Sequence, residues 1–337
     1  MIIVTGGAGF IGSAIIWKLN QWGQKNILIV DRLRKTEKWK NLVNLAYQDY
    51  LEVEEFLSLL QSDRFATIYG PLQAIFHMGA CSSTTELDAG YLVNNNFEFS
   101  KIMARLALKE NCRLIYASSA ATYGDGEQGY DDDPDKIHLL KPLNMYGYSK
   151  QMFDQWILTH GKDLNYVGIK FFNAYGPNEY HKGDMRSLIH KAVPQIQKSG
   201  KIRLFKSHKE GFADGQQLRD FIYIKDVVDV CRFLLKSDYQ GILNLGTGKP
   251  RSFVDLANSV FGSMEKEINI EFFPMPEGLR EKYQYYTCAN IAKLKGIGYK
   301  KDFYSLEDGI ADYVTNYILN QKDPYLGNEK PEEKVNK

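Results

Sequence analysis

The sequence predicts an α/β protein with a doubly wound parallel sheet and a smaller, discontinuous α/β lobe. Apolar, β-branched segments alternate with helical patterns through the first half of the chain, as in right-handed βαβ units around a parallel sheet. The first apolar segment, residues 1–5, leads into four closely spaced glycines and then into a helical pattern. Strand, glycine turn and helix in this order open a Rossmann-type fold.

The expected strands are short apolar runs between these helical patterns. They cover residues 1–5, 26–30, 74–77, 113–117 and 166–172. Helices are expected at 13–22, 86–110 and 147–160. A later apolar run at 241–245 also predicts a strand, which either returns to the sheet or caps it.

The pattern predicts two lobes. Residues 1–174 are expected to form a dinucleotide-binding domain, to which parts of 218–248 return. Prolines and glycines interrupt the pattern from about residue 175 onward, so 175–217 and 249–320 are expected to form a substrate-binding lobe. The short, charged tail at 321–337 is expected to fray.

Length, charge and cysteine spacing limit the classes of protein to which this chain can belong. A chain of 337 residues can bury a large core, and 42 basic against 41 acidic residues give no reason to expect a nucleic-acid or membrane-surface partner. The four cysteines are widely spaced and predict reduced thiols and no metal site. No leader pattern follows Met1 and no apolar run is long enough to span a bilayer, so we expect a soluble cytoplasmic protein.

The glycine turn predicts a phosphate cradle. Gly6 lets the chain turn sharply, Gly9 lets a pyrophosphate approach the backbone, and Gly12 lets the helix lie close to the strand. The free N–H groups at the helix start attract phosphates. Because the spacing is G-x-x-G-x-x-G, an ordinary tight βα turn is the alternative interpretation.

The residues after the second expected strand bear on the type of cofactor. Asp31 lies where an acidic residue meets the adenosine ribose, which by itself favours NAD. Arg32 and Lys38 follow it closely, and a guanidinium beside the ribose holds a 2′-phosphate well. The basic residues favour NADP, and NAD stays open.

Tyr146 and Lys150 form a candidate acid/base pair. They are four residues apart and share one face of a helix. A free phenol titrates near ~10, and a nearby ammonium is expected to lower that value. Upstream, Ser118 and Ser119 end an expected strand at the mouth of the cleft, where a hydroxyl donates to a substrate oxygen. We favour Ser119 for this role and a structural role for Ser118.

Glycine cradle, Tyr-x-x-x-Lys pair and upstream serine together resemble the extended short-chain dehydrogenase/reductase family, whose sugar-nucleotide epimerases and dehydratases match nearly the whole chain. The strings at 79–86, 118–124, 142–150 and 181–183 resemble the branch that epimerises an ADP-heptose at C6 for lipopolysaccharide inner core synthesis. The resemblance implies an ADP-heptose substrate, tightly bound NADP and a homo-oligomer, with five subunits in this branch.

The resemblance also implies roles for individual residues. Tyr146 is one acid/base, Lys150 its cofactor-bound helper and Lys182 the second acid/base. The cofactor contacts implied are Gly6, Gly9, Phe10, Ile11, Gly12, Asp31, Arg32, Lys38, Met78, Gly79, Ala80, Cys81, Ser82, Asn95, Lys150, Ala174 and Lys182. The substrate contacts implied are Ser119, Asn173, Asp184, Phe205, Arg219 and Tyr283.

A second acid/base group suits an epimerase of this kind. Hydride leaves one face of the sugar carbon and returns to the other, so the side chain of the sugar must rotate. A single fixed phenol does not serve both positions of the oxygen, and Lys182 answers that need. Without the resemblance, Lys182 reads as a solvated loop lysine.

The sequence departs from the branch in a few places. Val53 replaces a lysine near the cofactor, Asp184 replaces a small polar residue, and Lys191 replaces a histidine. The segment 206–217 is longer than expected, and Lys206 to His208 differ from the usual string. These departures concern the nucleotide contacts more than the chemistry.

Three alternative functions compete with this interpretation. A 4,6-dehydratase needs an Asp-Glu pair after the strand serine, where this chain has Ala120 and Ala121. A UDP-hexose 4-epimerase, or another sugar-nucleotide enzyme of the family, remains the alternative because the Tyr-x-x-x-Lys pair also serves it. A cofactor-binding sensor without turnover is disfavoured by the intact Ser119, Tyr146 and Lys150.

Overall fold

The computed structural model describes residues 1–281, 283–320 and 322–327. Its strands are β1 (Ile2–Thr5), β2 (Ile27–Asp31), β3 (Asp49–Glu52), β4 (Ala74–His77), β5 (Arg113–Ser119), β6 (Tyr166–Phe171), β7 (Asn173–Tyr175), β8 (Ile202–Phe205), β9 (Leu218–Arg219), β10 (Phe221–Tyr223), β11 (Gly241–Leu245), β12 (Arg251–Ser252) and β13 (Ile270–Phe273). Its α-helices are α1 (Phe10–Gln21), α2 (Val53–Gln61), α3 (Phe65–Tyr69), α4 (Ala89–Leu92), α5 (Phe99–Lys109), α6 (Met145–His160), α7 (Leu188–Ser199), α8 (Ile224–Lys236), α9 (Phe253–Ser263), α10 (Glu277–Arg280), α11 (Ala292–Gly296) and α12 (Leu306–Tyr313). Shorter 3₁₀ and π-helical turns lie at Glu37–Leu42, Val93–Glu98, Ala120–Tyr123, Pro134–Leu139, Tyr180–Met185 and Val314–Ile318.

Seven strands form one parallel sheet in the order β11-β6-β5-β4-β1-β2-β3. This arrangement confirms the predicted doubly wound fold. The strand order reverses between β1 and β4, and ligands of such sheets bind outside the carboxyl ends of the strands at this point. β11 pairs with β6 along its whole length, so the late strand returns to the sheet instead of capping it.

Both faces of the sheet are buried. Alternate residues of β1 point to opposite faces, so Ile2 and Val4 join one core and Ile3 joins the other. Helices α1 and α8 pack together over the first face, and α5 and α6 pack over the second. Strands covered on both faces are continuous apolar runs, which is why most of them were readable from the sequence.

The structure corrects three details of the sequence prediction. β3, with the sequence Asp-Tyr-Leu-Glu, is an edge strand that the apolar pattern does not reveal. β5 continues to Ser119, two residues beyond the predicted end. The helix predicted at 86–110 is divided into α4, a π-helical turn at Val93–Glu98 and α5.

Three two-stranded ribbons occupy the less regular part of the chain. β7 pairs with β10 and β8 pairs with β13, both in parallel, whereas β9 and β12 are antiparallel. Helices α7 and α9 pack against each other and against β8. The residue boundaries of the two lobes stay a prediction.

Residues 322–327 are packed against the body of the protein, contrary to the expectation of a frayed tail. Leu326 is fully buried and its N–H donates to Asn178 Oδ1 at 3.1 Å. The Tyr180 hydroxyl donates to the carbonyl of Pro324 at 2.6 Å. Residues 321 and 328–337 of the predicted tail lie outside the described residues. Within the described part of the chain, no helix has the length and apolar character to cross a membrane.

Candidate active site

The glycine turn between β1 and α1 has a backbone that requires glycine. Gly6 has φ +64°, and a Cβ there would lie 2.7 Å from the backbone nitrogen of Gly79. A Cβ on Gly12 would collide with the carbonyl oxygen of Gly6, so Gly12 lets α1 start directly against the turn. These contacts confirm the close strand–helix packing inferred from the spacing.

The start of α1 suits a phosphate. Among the described residues, no side chain caps the helix at Gly9, so the N–H groups of Phe10 and Ile11 keep their capacity to donate. A helix of 12 residues places partial positive charge at this end. The open, uncapped turn therefore fits the pyrophosphate of a dinucleotide.

A cavity of about 820 Å³ extends from this turn across the carboxyl ends of the strands. It brings together most of the residues that the sequence analysis selected. They are Gly6, Gly9, Phe10, Ile11, Gly12, Asp31, Lys38, Met78, Gly79, Ala80, Ser82, Ser119, Tyr146, Lys150, Asn173, Ala174, Lys182, Asp184, Phe205, Arg219 and Tyr283.

Three selected residues do not line this main cavity. Arg32 and Asn95 line a side cavity of about 210 Å³ next to it, together with Val53. Cys81 lines neither of the two cavities. Its N–H donates to Asn96 Oδ1 at 2.8 Å and its carbonyl accepts from Asn96 Nδ2 at 3.0 Å, so its backbone holds the loop after β4 in place.

The side cavity is rich in positive charge. Asp31 accepts from the N–H of Ala8 at 2.9 Å and from Lys38 Nζ at 2.6 Å, so an ammonium balances its carboxylate. The Arg32 guanidinium donates to Glu54 at 2.7 Å and to Asn95 Oδ1 at 2.9 Å. Arg32, Lys38 and Arg34 all line the side cavity.

Tyr146 lies in the first turn of α6, opposite the end of β5. The Asn144 side chain caps this helix by accepting from the N–H of Gly147 at 2.9 Å. Burial raises the pKa of Tyr146 above its ordinary value, and the neighbouring Ser119 hydroxyl opposes that rise. Tyr146 and Ser119 therefore act on each other at the mouth of the cleft.

Lys150 does not lower the pKa of Tyr146 as expected. Its Nζ donates to the carbonyl of Ala117 at 2.8 Å, and burial lowers the pKa of Lys150 to about 8. Asp154, one helical turn further, opposes this lowering. Burial is the largest cause acting on the pKa of Tyr146, and it acts in the direction opposite to the effect expected of the amine.

Ser118 has the structural role expected of it. Its hydroxyl donates to Asp154 Oδ2 at 2.7 Å, and Lys170 Nζ donates to the same oxygen at 2.6 Å. The side chains of Asp154 and Lys170 are both fully buried. Tyr116 donates to the other carboxylate oxygen at 2.9 Å, so this network holds β5 against α6.

Lys182 lines the same main cavity as Tyr146. It lies in the turn Tyr180–Met185, which bends at Gly183 with φ 54°. Lys182 Nζ is 5.2 Å from the ring centroid of Phe10, at the start of α1. Burial lowers the pKa of Lys182, and Glu179 opposes that change. The turn thus carries an amine to the phosphate end of the main cavity.

Aromatic rings and Arg219 form the far end of the main cavity. The rings of Phe205 and Phe273 are 4.9 Å apart, and the Arg219 guanidinium is 4.9 Å from the ring of Tyr283. Arg219 also donates to the carbonyl of Leu218 at 2.9 Å, which fixes the guanidinium beside the rings. The Arg203 guanidinium lies 4.3 Å from the ring of Phe273 and lines the same cavity. Aromatic rings and guanidinium groups together suit a nucleotide base and its phosphates.

A family model described as the NAD dependent epimerase/dehydratase family matches residues 2–246. The chain belongs to this family. Its glycine turn, β5 serine and α6 tyrosine all lie within the matched residues.

Individual members of the epimerase/dehydratase family cover nearly the whole chain. A Fusobacterium nucleatum protein named ADP-L-glycero-D-manno-heptose-6-epimerase is 49% identical over 336 residues, which are 97% of this chain and 100% of that protein. A protein of the same name from Nitratidesulfovibrio vulgaris is 50% identical over 331 residues, again 97% and 100%. The crystal structure of Helicobacter pylori ADP-L-glycero-D-manno-heptose-6-epimerase aligns with TM-score 0.79 at 25% identity, covering 95% of this chain and 96% of that one.

The sequence analysis missed several residues of this family member's cavity. Phe253 and Phe273 extend the aromatic end, and the fully buried Gln217 also lines it. Asp154 was also missed, although its interaction with Lys150 could have been predicted from the sequence, since it follows Lys150 by four residues on the same helix face. Phe253 and Phe273 had none, because isolated aromatic residues at element ends resemble ordinary core positions.

Proposed function

We propose that this protein converts ADP-D-glycero-β-D-manno-heptose into ADP-L-glycero-β-D-manno-heptose by inverting C6. The observation that carries the proposal is that Tyr146 and Lys182 line one and the same cavity. The names of relatives that are 49% and 50% identical over nearly their full length support the substrate. The enzyme is an isomerase of sugar nucleotides.

The cofactor is a nicotinamide dinucleotide. It supplies the hydride acceptor and, on return, the hydride donor. The glycine turn and the uncapped start of α1 bind its pyrophosphate. The Lys150 amine donates to the carbonyl of Ala117, and this hydrogen bond holds the amine near Tyr146. The turn fits such a group because its backbone excludes side chains at Gly6 and Gly12, so the chain stays tightly folded around the phosphate site.

The two acid/base groups divide the proton transfers. Tyr146, next to Ser119, exchanges a proton with the C6 hydroxyl in one orientation of the sugar side chain. Ser119 donates a hydrogen bond to the same oxygen. After the side chain rotates, Lys182, which lines the same cavity, exchanges the proton. Burial favours the neutral forms of both groups, so the Tyr146 phenol holds its proton more strongly and the Lys182 amine releases its proton more readily.

The aromatic end binds the nucleotide. The rings of Phe205 and Tyr283, which are set at 90° to each other, contact the adenine, and the buried Arg219 supplies a charge for the diphosphate. Asn173 and Asp184 line the same cavity, and we assign them contacts with the heptose. Asp184 also fixes Lys191, whose Nζ donates to its carbonyl at 3.1 Å.

We further propose NADP rather than NAD. Arg32, Arg34 and Lys38 surround the side cavity, and Lys38 neutralises the carboxylate that would repel a 2′-phosphate. Mass spectrometry of the nucleotide released from purified protein tests this choice. NADP is expected, and Arg32→Ala with Lys38→Ala is expected to shift retention toward NAD. Recovery of NAD alone from the unaltered protein would contradict it.

The assembly and location are also proposals. The resemblance to the ADP-heptose branch favours a homo-oligomer of five subunits, which sedimentation velocity measures directly. Cys81, Cys112, Cys231 and Cys288 are all free thiols, which favours the reducing cytoplasm.

One experiment tests the main proposal. ADP-D-glycero-β-D-manno-heptose is incubated with purified protein and no added cofactor, and the ratio of C6 epimers is followed by NMR. We expect the L-glycero epimer to accumulate with the unaltered protein and not with Tyr146→Phe. If the ADP-heptose stays unchanged while UDP-glucose or UDP-N-acetylglucosamine is epimerised at C4, the alternative sugar-nucleotide activity replaces the proposed one.

A further inference from the structure

Glu179 is a buried carboxylate at the base of the turn that carries Lys182. The side chain is fully buried. Its Oε2 accepts from the N–H of Ser187 at 2.7 Å, and its Oε1 accepts from the Ser187 hydroxyl at 2.5 Å and from the Tyr313 hydroxyl at 3.0 Å. Since Ser187 follows the turn Tyr180–Met185, one carboxylate ties its two ends together and anchors both to α12.

The preceding residue ties the same turn to the glycine cradle. Asn178 is fully buried, and its Nδ2 donates to the Ser13 hydroxyl of α1 at 2.9 Å. Asn41 Nδ2 donates to the carbonyls of both Asn178, at 3.0 Å, and Ala8, at 2.9 Å. The turn is therefore fixed to the phosphate cradle on one side and, through Glu179, to α12 on the other.

The charge of Glu179 acts on Lys182. Burial lowers the pKa of the Lys182 amine, and the Glu179 carboxylate is the group that raises it. Burial raises the pKa of Glu179 in turn, while Ser187, Lys182 and Tyr313 oppose that rise. Carboxylate and amine stabilise each other's charged form inside a site where neither is well solvated.

The other titratable groups nearby do not replace this interaction. Tyr180 and Tyr313 are neutral, since burial raises the pKa of each phenol beyond its ordinary value. His181 is neutral as well, because burial, Lys38 and Lys182 lower its pKa to about 4. The carboxylate of Glu179 is the negative charge acting on the Lys182 amine in the described part of the chain.

We propose that Glu179 is a positioning residue for the reaction, which fixes the turn that carries Lys182 and keeps the Lys182 amine protonated until it delivers its proton. This inference rests on the proposed function, in which Lys182 is the second acid/base group. On this inference, the buried Glu179 determines both the position and the protonation of the Lys182 amine.

A chemical-modification experiment, which does not depend on catalysis, tests the effect of Glu179 on the protonation of Lys182. Cyanate carbamylates only neutral amines, so the pH dependence of carbamylation of Lys182, followed by peptide mass spectrometry, reports its protonation. Glu179→Gln keeps the shape and removes the charge, and we expect the half-maximal rate at Lys182 to occur about 1 pH unit lower or more. Glu307→Gln is the matched control, because Glu307 is a half-exposed acid on α12 paired with Arg251. It is expected to change nothing.

Steady-state kinetics test whether Glu179 positions Lys182 for the reaction. For Glu179→Gln we expect kcat to fall roughly tenfold or more with KM within about threefold, because a misplaced proton donor affects the transition state rather than ground-state binding. The alkaline limb of the kcat profile is expected at lower pH, since an amine without its carboxylate loses its proton earlier. Tyr313→Phe keeps the carboxylate, removes one donor and is expected to lower kcat by about threefold with a smaller shift of the limb.

The outcomes separate the inference from the proposed function. An unaltered protein without epimerase activity refutes the function, and the cyanate experiment still reports on the charge of Lys182. An active protein in which Glu179→Gln leaves both kcat and the carbamylation profile of Lys182 unchanged overturns the inference. If Glu179→Gln does not fold, an unchanged kcat and pH profile in Tyr313→Phe overturns it instead.

Discussion

Asp154→Asn is expected to destabilise the protein strongly. Asp154 and Lys170 are both fully buried, with 2.6 Å between Oδ2 and Nζ. The substitution removes the carboxylate from the buried Lys170 ammonium and leaves it the Thr122 hydroxyl, at 2.7 Å, and the Tyr123 ring, with its centroid at 5.2 Å. Breaking a buried ion pair from one side costs about 3–5 kcal/mol, which is a large part of the ~5–15 kcal/mol that stabilises a folded domain.

Urea unfolding followed by circular dichroism measures this cost. Asp154→Asn and Lys170→Met are each expected to lower the free energy of unfolding by about 3–5 kcal/mol, and the double variant by much less than the sum, since it buries no unpaired charge. Asp63→Asn, which removes the acid of the exposed pair with Lys109, is the control and is expected to leave the midpoint unchanged. A loss below about 1 kcal/mol in Asp154→Asn would refute the reasoning.

The same substitution has a second, functional readout. The Asp154 carboxylate raises the pKa of Lys150 against burial, which lowers it to about 8. Removing the carboxylate lowers the pKa of Lys150 further, so its positive charge is lost at a lower pH. We expect the pH range of epimerase activity to contract from the alkaline side, and an unchanged alkaline limb in a folded Asp154→Asn protein would contradict this link.

Three further predictions concern the cradle, the acid/base pair and the C-terminal segment. Gly12→Ala forces a methyl group against the Gly6 carbonyl, so purified protein is expected to contain no dinucleotide by absorbance; full retention would contradict the tight turn. Tyr146→Phe and Lys182→Met are expected to slow epimerisation by roughly 10²–10⁴-fold in the NMR assay while cofactor stays bound, and normal turnover in both would refute their roles. A chain that stops at residue 320 loses the contacts of 322–327 with Tyr180 and Asn178, so its kcat is expected to fall, whereas a chain that stops at 327 keeps full activity.

The sheet was largely predictable because its strands are buried on both faces. β4 and β11 were predicted to the residue, since continuous apolar runs mark both strands. β3 was not, because only Leu51 of this strand is buried and the strand carries Asp49 and Glu52, whereas the other edge strand, β11, is buried over residues 242–245. The packed segment 322–327 was missed because its polar composition resembles a solvated tail.

The site was predictable only where chemistry follows local spacing. The glycine turn and the pair Tyr146 and Lys150 could be read from the residues themselves. Lys182 and Arg219 came from the resemblance alone, since a loop position does not reveal which cleft it faces. Glu179 could not be found, because its partner Tyr313 lies 134 residues further along the chain and a buried acid looks like a surface acid in sequence.

The return of β11 to the sheet has a consequence for how the chain folds. β6 ends at Phe171, but the strand that covers its outer edge begins only at Gly241. Until residues 172–240 have been synthesised and ordered, β6 exposes a row of unpaired backbone groups and an apolar surface. Folding is thus expected to be slow and late, with the aggregation risk during refolding concentrated at this open edge.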